Sequence, residues 1–495
     1  MSAEKDGIVT DINATTFEEP DVTNAYPLLI GGTWTQGDGA PFDVLDKYSL
    51  QPFATIASAS AAQVARTIDV ADAAFRAGAP SPYDRGLVLE RAAVLIEQRI
   101  DDLVRAMQAE AGFTASDASG EVKRCVQTLK LSAEEARRLA GDVIPLSGAP
   151  GQAGRVAFTL RVPLGVVVAI TPFNSPLNTV THKIAPAFAA GNAVILKPSS
   201  NTPITAQILC EVLLEAGMPK GFLSLVHGGG DVARSLLADE RVRFFAFTGS
   251  TEVGRSIQQA AGLRRTQMEL GSIAFTILCD DADLDRALPK IVGAGYRKAG
   301  QVCTSVQILL VQDAIMDTVQ ARLVDMVSAL SFGDPRNDGT VVGPMISEKE
   351  AIRIEGWIDE AIAKGARRLV GGTRQGAVLP PTLLTDINDT MQVGCCEIFG
   401  PVVCLVPYST LDEAITRVNT TPYGLATGIF TNRLQDALSA ARRLEVGGVH
   451  INETSSSRVD MMPYGGSKDS GFGREGPHYT VHEMTEERII TISTQ

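Results

Sequence analysis

Residues 155–201 read RVAFTLRVPLGVVVAITPFNSPLNTVTHKIAPAFAAGNAVILKPSSN, and this stretch decides the fold class. Its opening, 155–172, is β-rich and contains the unbroken run from Gly165 to Ile170. APAFAAGN (185–192) has helical spacing, and AVILKPS (193–199) is a second apolar run of strand length. Downstream the alternation continues. TPITAQILCEVLLEAGMP (202–219) reads as a helix stopped by Gly217 and Pro219, FLSLVHGG (222–229) as a strand and DVARSLLAD as a helix. RVRFFAFTG (241–249) reads as a strand and STEVGRSIQQAAG (250–262) as a helix opening on Ser250, a good N-cap. Buried strands alternating with short helices predict a parallel sheet with helices on both faces.

Upstream, apolar residues recur at helical spacing from Ser60 to Gly141, and LLIGGTWTQGDG gives short strands with turns after a polar leader of about 20 residues. A second α/β series is expected from 270 to 450, with strands at VQILLV (306–311) and ATGIFT (426–431). ERIITIST (487–494) is an isolated apolar strand, and its edge needs a partner in another sheet or subunit. At 495 residues the chain exceeds one ordinary core, so two or three domains are expected.

Composition excludes several function classes. A net charge of -13 opposes non-specific nucleic-acid binding and membrane-surface attachment, so an anionic ligand must meet a local cationic cluster. The opening MSAEKDGIVTDINATTFEEPD lacks an apolar segment, so no signal peptide is expected, and no apolar run approaches a membrane span. Seven irregularly spaced cysteines, with no CxxC pair, form no disulfide framework, and five scattered histidines make a zinc site improbable. Reduced cysteines and a cytoplasmic location are expected.

Three residues invite a chemical reading. Cys303, in KAGQVCTSVQILLV, stands in a loop entering a strand, where a thiol is either exposed and reactive or simply buried. Glu269, in TQMELGSIAF, is either a desolvated carboxylate suited to a general base or a solvated strand end. Asn174, in AITPFNSPLN, either offers its amide to an oxyanion or closes an Asx turn. The Gly-rich turn FTGSTEVGR lacks the ending of a P-loop, and reads either as a helix N-cap or as a pyrophosphate seat. None of these decides the matter singly.

Their order along the chain does. ITPFNSPLN, AGNAVILKPSSNTP, FTGSTEVGR, MELGS, AGQVCTSVQ, EIFGPV and PYGGSKDSGFGREG follow one another as in the aldehyde dehydrogenase superfamily, which the chain resembles from about residue 25 to 490. The resemblance implies an α/β aldehyde dehydrogenase-like fold: two parallel-sheet domains and a small β oligomerisation element. It places dinucleotide binding at 1–143 and 165–269, catalysis at 270–485, and oligomerisation at 144–164 and 486–495. Within that frame Cys303 is the nucleophile, Glu269 the base, and Asn174 the oxyanion donor together with the Cys303 backbone N–H. NAD or NADP would lie against Thr171, Pro172, Phe173, Lys197, Ser199, Ser200, Gly230, Thr248, Gly249, Ser250, Leu270, Gly271, Glu397 and Phe399. Lys197 would reach the adenosine ribose, Glu397 the nicotinamide ribose, and Phe399 the nicotinamide ring. A homodimer or homotetramer is implied, and no metal.

Ser200 departs from the pattern of many NAD-preferring members, which carry a Glu there to bind the ribose 2′-hydroxyl. Without that carboxylate a 2′-phosphate is not repelled, so NADP is admissible beside NAD. Substrate contacts are expected from Asn174, Val302, Thr304, His182, Arg297 and Arg458. Arg297 stands where succinate-semialdehyde dehydrogenases bind an anion, Arg458 lies in the loop that anchors the carboxylate tail in those enzymes, and His182 replaces their second Arg. PFNSPLNTVTHKIAP is more similar to the lactaldehyde and phosphonoacetaldehyde branch. A short aldehyde bearing a carboxylate, phosphonate or sulfonate is therefore expected, with a neutral aliphatic or aromatic aldehyde as the alternative. Two rival readings are a coenzyme A-acylating enzyme, opposed by the presence of Glu269, and a non-catalytic homologue, opposed by the intact triad.

Overall fold

The structure, a computed structural model, describes residues 25–493; the polar leader lies outside the described residues. In chain order the elements that build the site are α1 (Ala115–Arg138), β1 (Val166–Ile170), α2 (Asn178–Ala189), β2 (Ala193–Lys197), β3 (Leu223–Leu225), β4 (Val242–Thr248), α3 (Thr251–Ala261), β5 (Arg265–Glu269), β6 (Phe275–Leu278), β7 (Ile308–Gln312), β8 (Val402–Tyr408) and β9 (Ala426–Phe430).

The alternation read around 155–201 becomes an eight-stranded sheet. Its five central strands run parallel in the order β3-β2-β1-β4-β5, flanked by antiparallel strands at both edges. β1 and β2 are buried along their whole length, which is why they read as unbroken apolar runs rather than alternating ones. β2 and β3 lie on one side of β1, β4 and β5 on the other. The connections therefore diverge from β1 and β4, and a crevice opens at the carboxyl ends of those two strands.

A second sheet holds seven strands, with β8-β7-β6-β9 at its centre, all parallel. The apolar interior divides accordingly. One core draws on residues 28–270 together with Val481 and Met484, the other on residues 273–444. Between them the chain passes from Glu269, the last residue of β5, to Phe275, the first of β6, with no intervening helix. The carboxyl ends of the first sheet thus face the amino ends of the second.

The terminal strand Thr485–Ser493 pairs antiparallel with Arg155–Pro163, and Val143–Ile144 completes a separate three-stranded sheet. Its Val156, Leu160, Ile489 and Ile492 are exposed. No helix among the described residues is long and apolar enough to cross a membrane.

Phe245, fully buried in β4, sits in the larger core, with the Arg264 guanidinium 4.9 Å from its ring. Phe245→Ala removes the ring from a strand that borders the crevice and should destabilise the protein by about 3–5 kcal/mol. A lowered midpoint in urea unfolding would show it; an unchanged midpoint would mean that this core carries little of the stability.

Candidate active site

Each central strand of the first sheet hands its next residues to the crevice. Thr171 to Ser175 follow β1, Lys197 ends β2 and Ser199 to Asn201 come after it, Gly229 and Gly230 come after β3, Thr248 to Ser250 end β4, and Glu269 to Gly271 end β5. The second sheet contributes from its amino ends: Val302, Cys303 and Thr304 precede β7, and Glu397 and Phe399 precede β8. These residues line one cleft of about 790 Å³. Every residue expected at the site lines it except His182.

His182 is fully buried in α2, with Nε2 2.9 Å from Asp460 Oδ1 and 3.3 Å from Thr128 Oγ1. A side chain enclosed on all sides cannot touch a substrate, so the expected contact is not made. Its place in the cleft is taken by Arg124, on the neighbouring helix α1. Arg124 donates to both oxygens of Asp460, at 2.7 and 3.3 Å. Nothing in the sequence of α1 marks Arg124 out from its other charged residues; only packing turns it inward.

Cys303 is half-buried on the cleft wall, with Sγ 2.8 Å from Tyr464 Oη. Burial pushes its thiol up to about 11, while the Tyr464 hydroxyl works in the opposite direction by stabilising the thiolate. Asn174 Nδ2 donates to Gln301 O at 2.9 Å, which places the amide two residues from the thiol. The turn before Cys303 contains two successive left-handed residues that are not glycine, Lys298 (φ 52°) and Ala299 (φ 53°). Such a conformation persists only where surrounding contacts fix it. Here the Lys298 ammonium reaches Glu121 at 2.7 Å and Asn174 O at 3.2 Å, and packs 4.4 Å from the Phe113 ring centre.

Glu269 is 3% exposed, and its Oε1 has no hydrogen-bond partner. Burial, reinforced by the nearby Glu475, raises its carboxyl well above the ordinary range. Glu475 is itself buried against Lys183 (2.7 Å) and Arg458 (3.0 Å). Burial pushes Glu475 upward, but those two cations more than offset it and keep it ionised. Two neighbouring carboxyls therefore differ in their affinity for a proton, and Glu269 is the one that binds it more tightly.

The other half of the cleft suits a dinucleotide. Ser250 caps α3, accepting from Val253 N at 3.4 Å, and the positive end of that helix faces the cleft. Thr171 Oγ1 and Thr248 Oγ1 are buried without a partner, so two hydroxyls remain for a ligand. A Cβ on Gly271 would approach Glu397 Oε2 to 2.9 Å, so glycine there lets the carboxylate come close. Glu397 accepts from Ser272 N at 2.8 Å, and burial raises it to about 7. Burial lowers Lys197 to about 8, and Ser200 Oγ donates to Gly228 O. Phe399, with φ 55°, meets Phe173 edge to face at 5.8 Å.

Comparison with known proteins gives a consistent picture. The sequence profile of the aldehyde dehydrogenase family matches residues 34–490. A 3-sulfolactaldehyde dehydrogenase of Priestia aryabhattai is 45% identical over 469 residues, covering 94% of this chain and 98% of the relative. The crystal structure of aldehyde dehydrogenase 21 from Physcomitrella patens, in complex with the reaction product succinate, superposes with a TM-score of 0.92 at 38% identity, covering 95% of this chain and 98% of that one. The NADP-dependent glyceraldehyde-3-phosphate dehydrogenase of Bacillus halodurans C-125, complexed with NADP, superposes with a TM-score of 0.93 at 33% identity, covering 95% and 100%.

The Tyr464 contact makes the thiol testable without any substrate. Tyr464→Phe removes the only side-chain hydrogen bond to Cys303 Sγ among the described residues, so alkylation by iodoacetamide at pH 8 should slow by about three- to ten-fold. An unchanged or faster rate, with Cys303→Ala as background, would show that Tyr464 does not support the thiolate.

Proposed function

The chain belongs to the aldehyde dehydrogenase family, and we propose that its substrate is a short aldehyde with an anionic group at the far end. The observation that carries this reading is that four guanidiniums line the cleft that holds Cys303 in a chain of net charge -13, and three of them, Arg124, Arg297 and Arg458, stand apart from Arg353, which is held by Glu350 and Ile398 O. Arg297 Nη2 donates to Ser456 Oγ at 2.7 Å, and Ser456 Oγ lies 3.2 Å from Thr304 Oγ1, one residue from the nucleophile. The likeness to proteins named for sulfonate-, carboxylate- and phosphate-bearing compounds supports the same class.

The reaction is oxidation of the aldehyde to the carboxylic acid with NAD or NADP. The Cys303 thiol gives its proton to Glu269, the thiolate so formed adds to the carbonyl carbon, and Glu269 passes that proton to solvent before it acts again. The alkoxide that forms is received by the Asn174 amide and the Cys303 backbone N–H. Along the strand ends NAD(P)+ would supply the hydride acceptor, while Cys303 holds the substrate carbon as a tetrahedral adduct and then as a thioester. Glu269 then takes a proton from water, the hydroxide attacks the thioester, and the acid departs as the thiol is restored. Lys183 and Arg458 stabilise the ionised form of Glu269, and its raised proton affinity sets the pH at which it begins to act. Thr248, Gly249 and Ser250 would hold the pyrophosphate, Lys197 and Ser200 the adenosine ribose, Glu397 the nicotinamide ribose and Phe399 the ring. With a hydroxyl rather than a carboxylate at Ser200, a 2′-phosphate is not repelled.

We also propose that the exposed apolar strand Thr485–Ser493 is covered by a second copy of the chain, giving a dimer or tetramer. Light scattering should then report an assembly, and Ile489→Lys should shift it toward monomer; a monomeric wild type would sink the idea.

Reduced cofactor at 340 nm reads the substrate class. With 3-sulfolactaldehyde, glyceraldehyde 3-phosphate, a semialdehyde, and neutral aliphatic and aromatic aldehydes, the anionic compounds should give the higher kcat/KM, and Cys303→Ala should be silent. Preference for neutral compounds would overturn the anionic reading and leave the family chemistry intact. Glu269→Gln should release about one equivalent of reduced cofactor and then stall as the thioester, with turnover lowered about 10²–10⁴-fold. In the wild type, turnover should rise with pH as Glu269 ionises, and that rise should vanish in the variant.

A further inference from the structure

Resting on that reading of an anionic substrate, we propose that the cleft selects a singly charged tail over a doubly charged one, with Asp460 as the residue that sets the limit. The ground is which cations already have carboxylate partners. Arg124 is bound by both oxygens of Asp460. Lys298 is bound by Glu121 at 2.7 Å. Lys183 and Arg458 share Glu475, at 2.7 and 3.0 Å, and both also act on the carboxyl of Glu269. Arg297 differs from all of these. Among the described residues no carboxylate lies within ion-pair distance of its guanidinium, and its hydrogen bond goes to the neutral hydroxyl of Ser456. With Glu269 ionised, as the reaction requires, these five cations meet four carboxylates, and one positive charge is left for the substrate to answer.

Asp460 is fixed as an anion. Burial works against its ionisation, but His182 Nε2 at 2.9 Å and Arg124 outweigh that effect, and Asn178 Nδ2 also donates to it at 3.0 Å. Burial lowers the proton affinity of His182, so it contributes a dipole rather than a second cation. A sulfonate or carboxylate brings one negative charge and pairs with Arg297. A phosphate ester above its second pKa of about 6 brings nearly two, and its surplus charge meets the field of Asp460 rather than a free cation. Asp460 acts through Arg124 and by its own charge; it is a specificity-determining residue, not a catalytic one.

The test compares 3-sulfolactaldehyde with glyceraldehyde 3-phosphate, which share a three-carbon frame and differ in tail charge, with glyceraldehyde as the neutral reference. At pH 8 the wild type should favour the sulfonate in kcat/KM by about ten-fold or more. At pH 5.5, where the phosphate is mostly singly charged, the ratio should narrow. Asp460→Asn releases Arg124 and should narrow or reverse the ratio at pH 8. The double variant Arg124→Gln/Asp460→Asn removes both charges and should restore it, which loss of packing alone would not do.

Equal or better use of the phosphate by the wild type at pH 8 overturns the proposal, as does an unchanged ratio in an Asp460→Asn protein that still oxidises glyceraldehyde. If Asp460→Asn does not fold, the wild-type pH series decides by itself. Glyceraldehyde outpacing both anions would instead bring down the anionic reading, and this inference with it.

Discussion

Glu269 closes a strand of one sheet and Phe275 opens a strand of the other, and this five-residue passage constrains the whole molecule. It holds the carboxyl ends of one parallel sheet against the amino ends of a second, so residues far apart in sequence share one cleft. Because β1 and β4 lead to diverging connections, the crevice is a necessity of the strand order and not an addition to it. Glu269 at the end of β5 and Cys303 before β7 line the same cleft for the same reason.

The cleft carries an electrostatic load that a stability-driven core would avoid. Glu269 keeps an unpartnered, buried oxygen, and two hydroxyls beside the dinucleotide region are likewise without partners. Such groups lower stability by about 1–3 kcal/mol each unless a ligand satisfies them. Around them lies a tight set of ion pairs, Arg124–Asp460, Lys298–Glu121 and Lys183–Glu475–Arg458. These contribute orientation more than net stability, since desolvation offsets most of their Coulomb energy, yet losing one partner would strand a buried charge. The left-handed Lys298–Ala299 turn is held in the same way, by the ion pair beneath it.

Charge also explains how an acidic protein can receive an acidic substrate. The cations at the tail end are local and mostly answered by neighbours, so the field there is modest rather than broadly positive. Arg297 stands apart because its neighbour is a serine. Family membership fixes the reaction; the local pairing of cations and carboxylates is what distinguishes one anionic tail from another.

Much of this was legible in the sequence. Buried parallel strands leave unbroken apolar runs, and glycine, proline and serine mark the helix ends between them, so four of the five central strands of the first sheet could be read, whereas the polar RTQME of β5 leaves no such run. The motifs that supply backbone and short side chains at strand ends stand in fixed order, and their residues, Cys303, Glu269 and Asn174 among them, do converge on one cleft. What the sequence could not give was direction within a helix or loop. Arg124 resembles any charged residue of α1, and His182 looks like a candidate contact until packing encloses it against Asp460. The pairing of a cation is a property of three-dimensional neighbours up to 336 positions away in the chain. Local pattern determined the strands, the turns and the chemistry-bearing residues; only the tertiary structure decided which charges face the cleft and which of them are already answered, because burial and partner choice depend on contacts that no local pattern encodes.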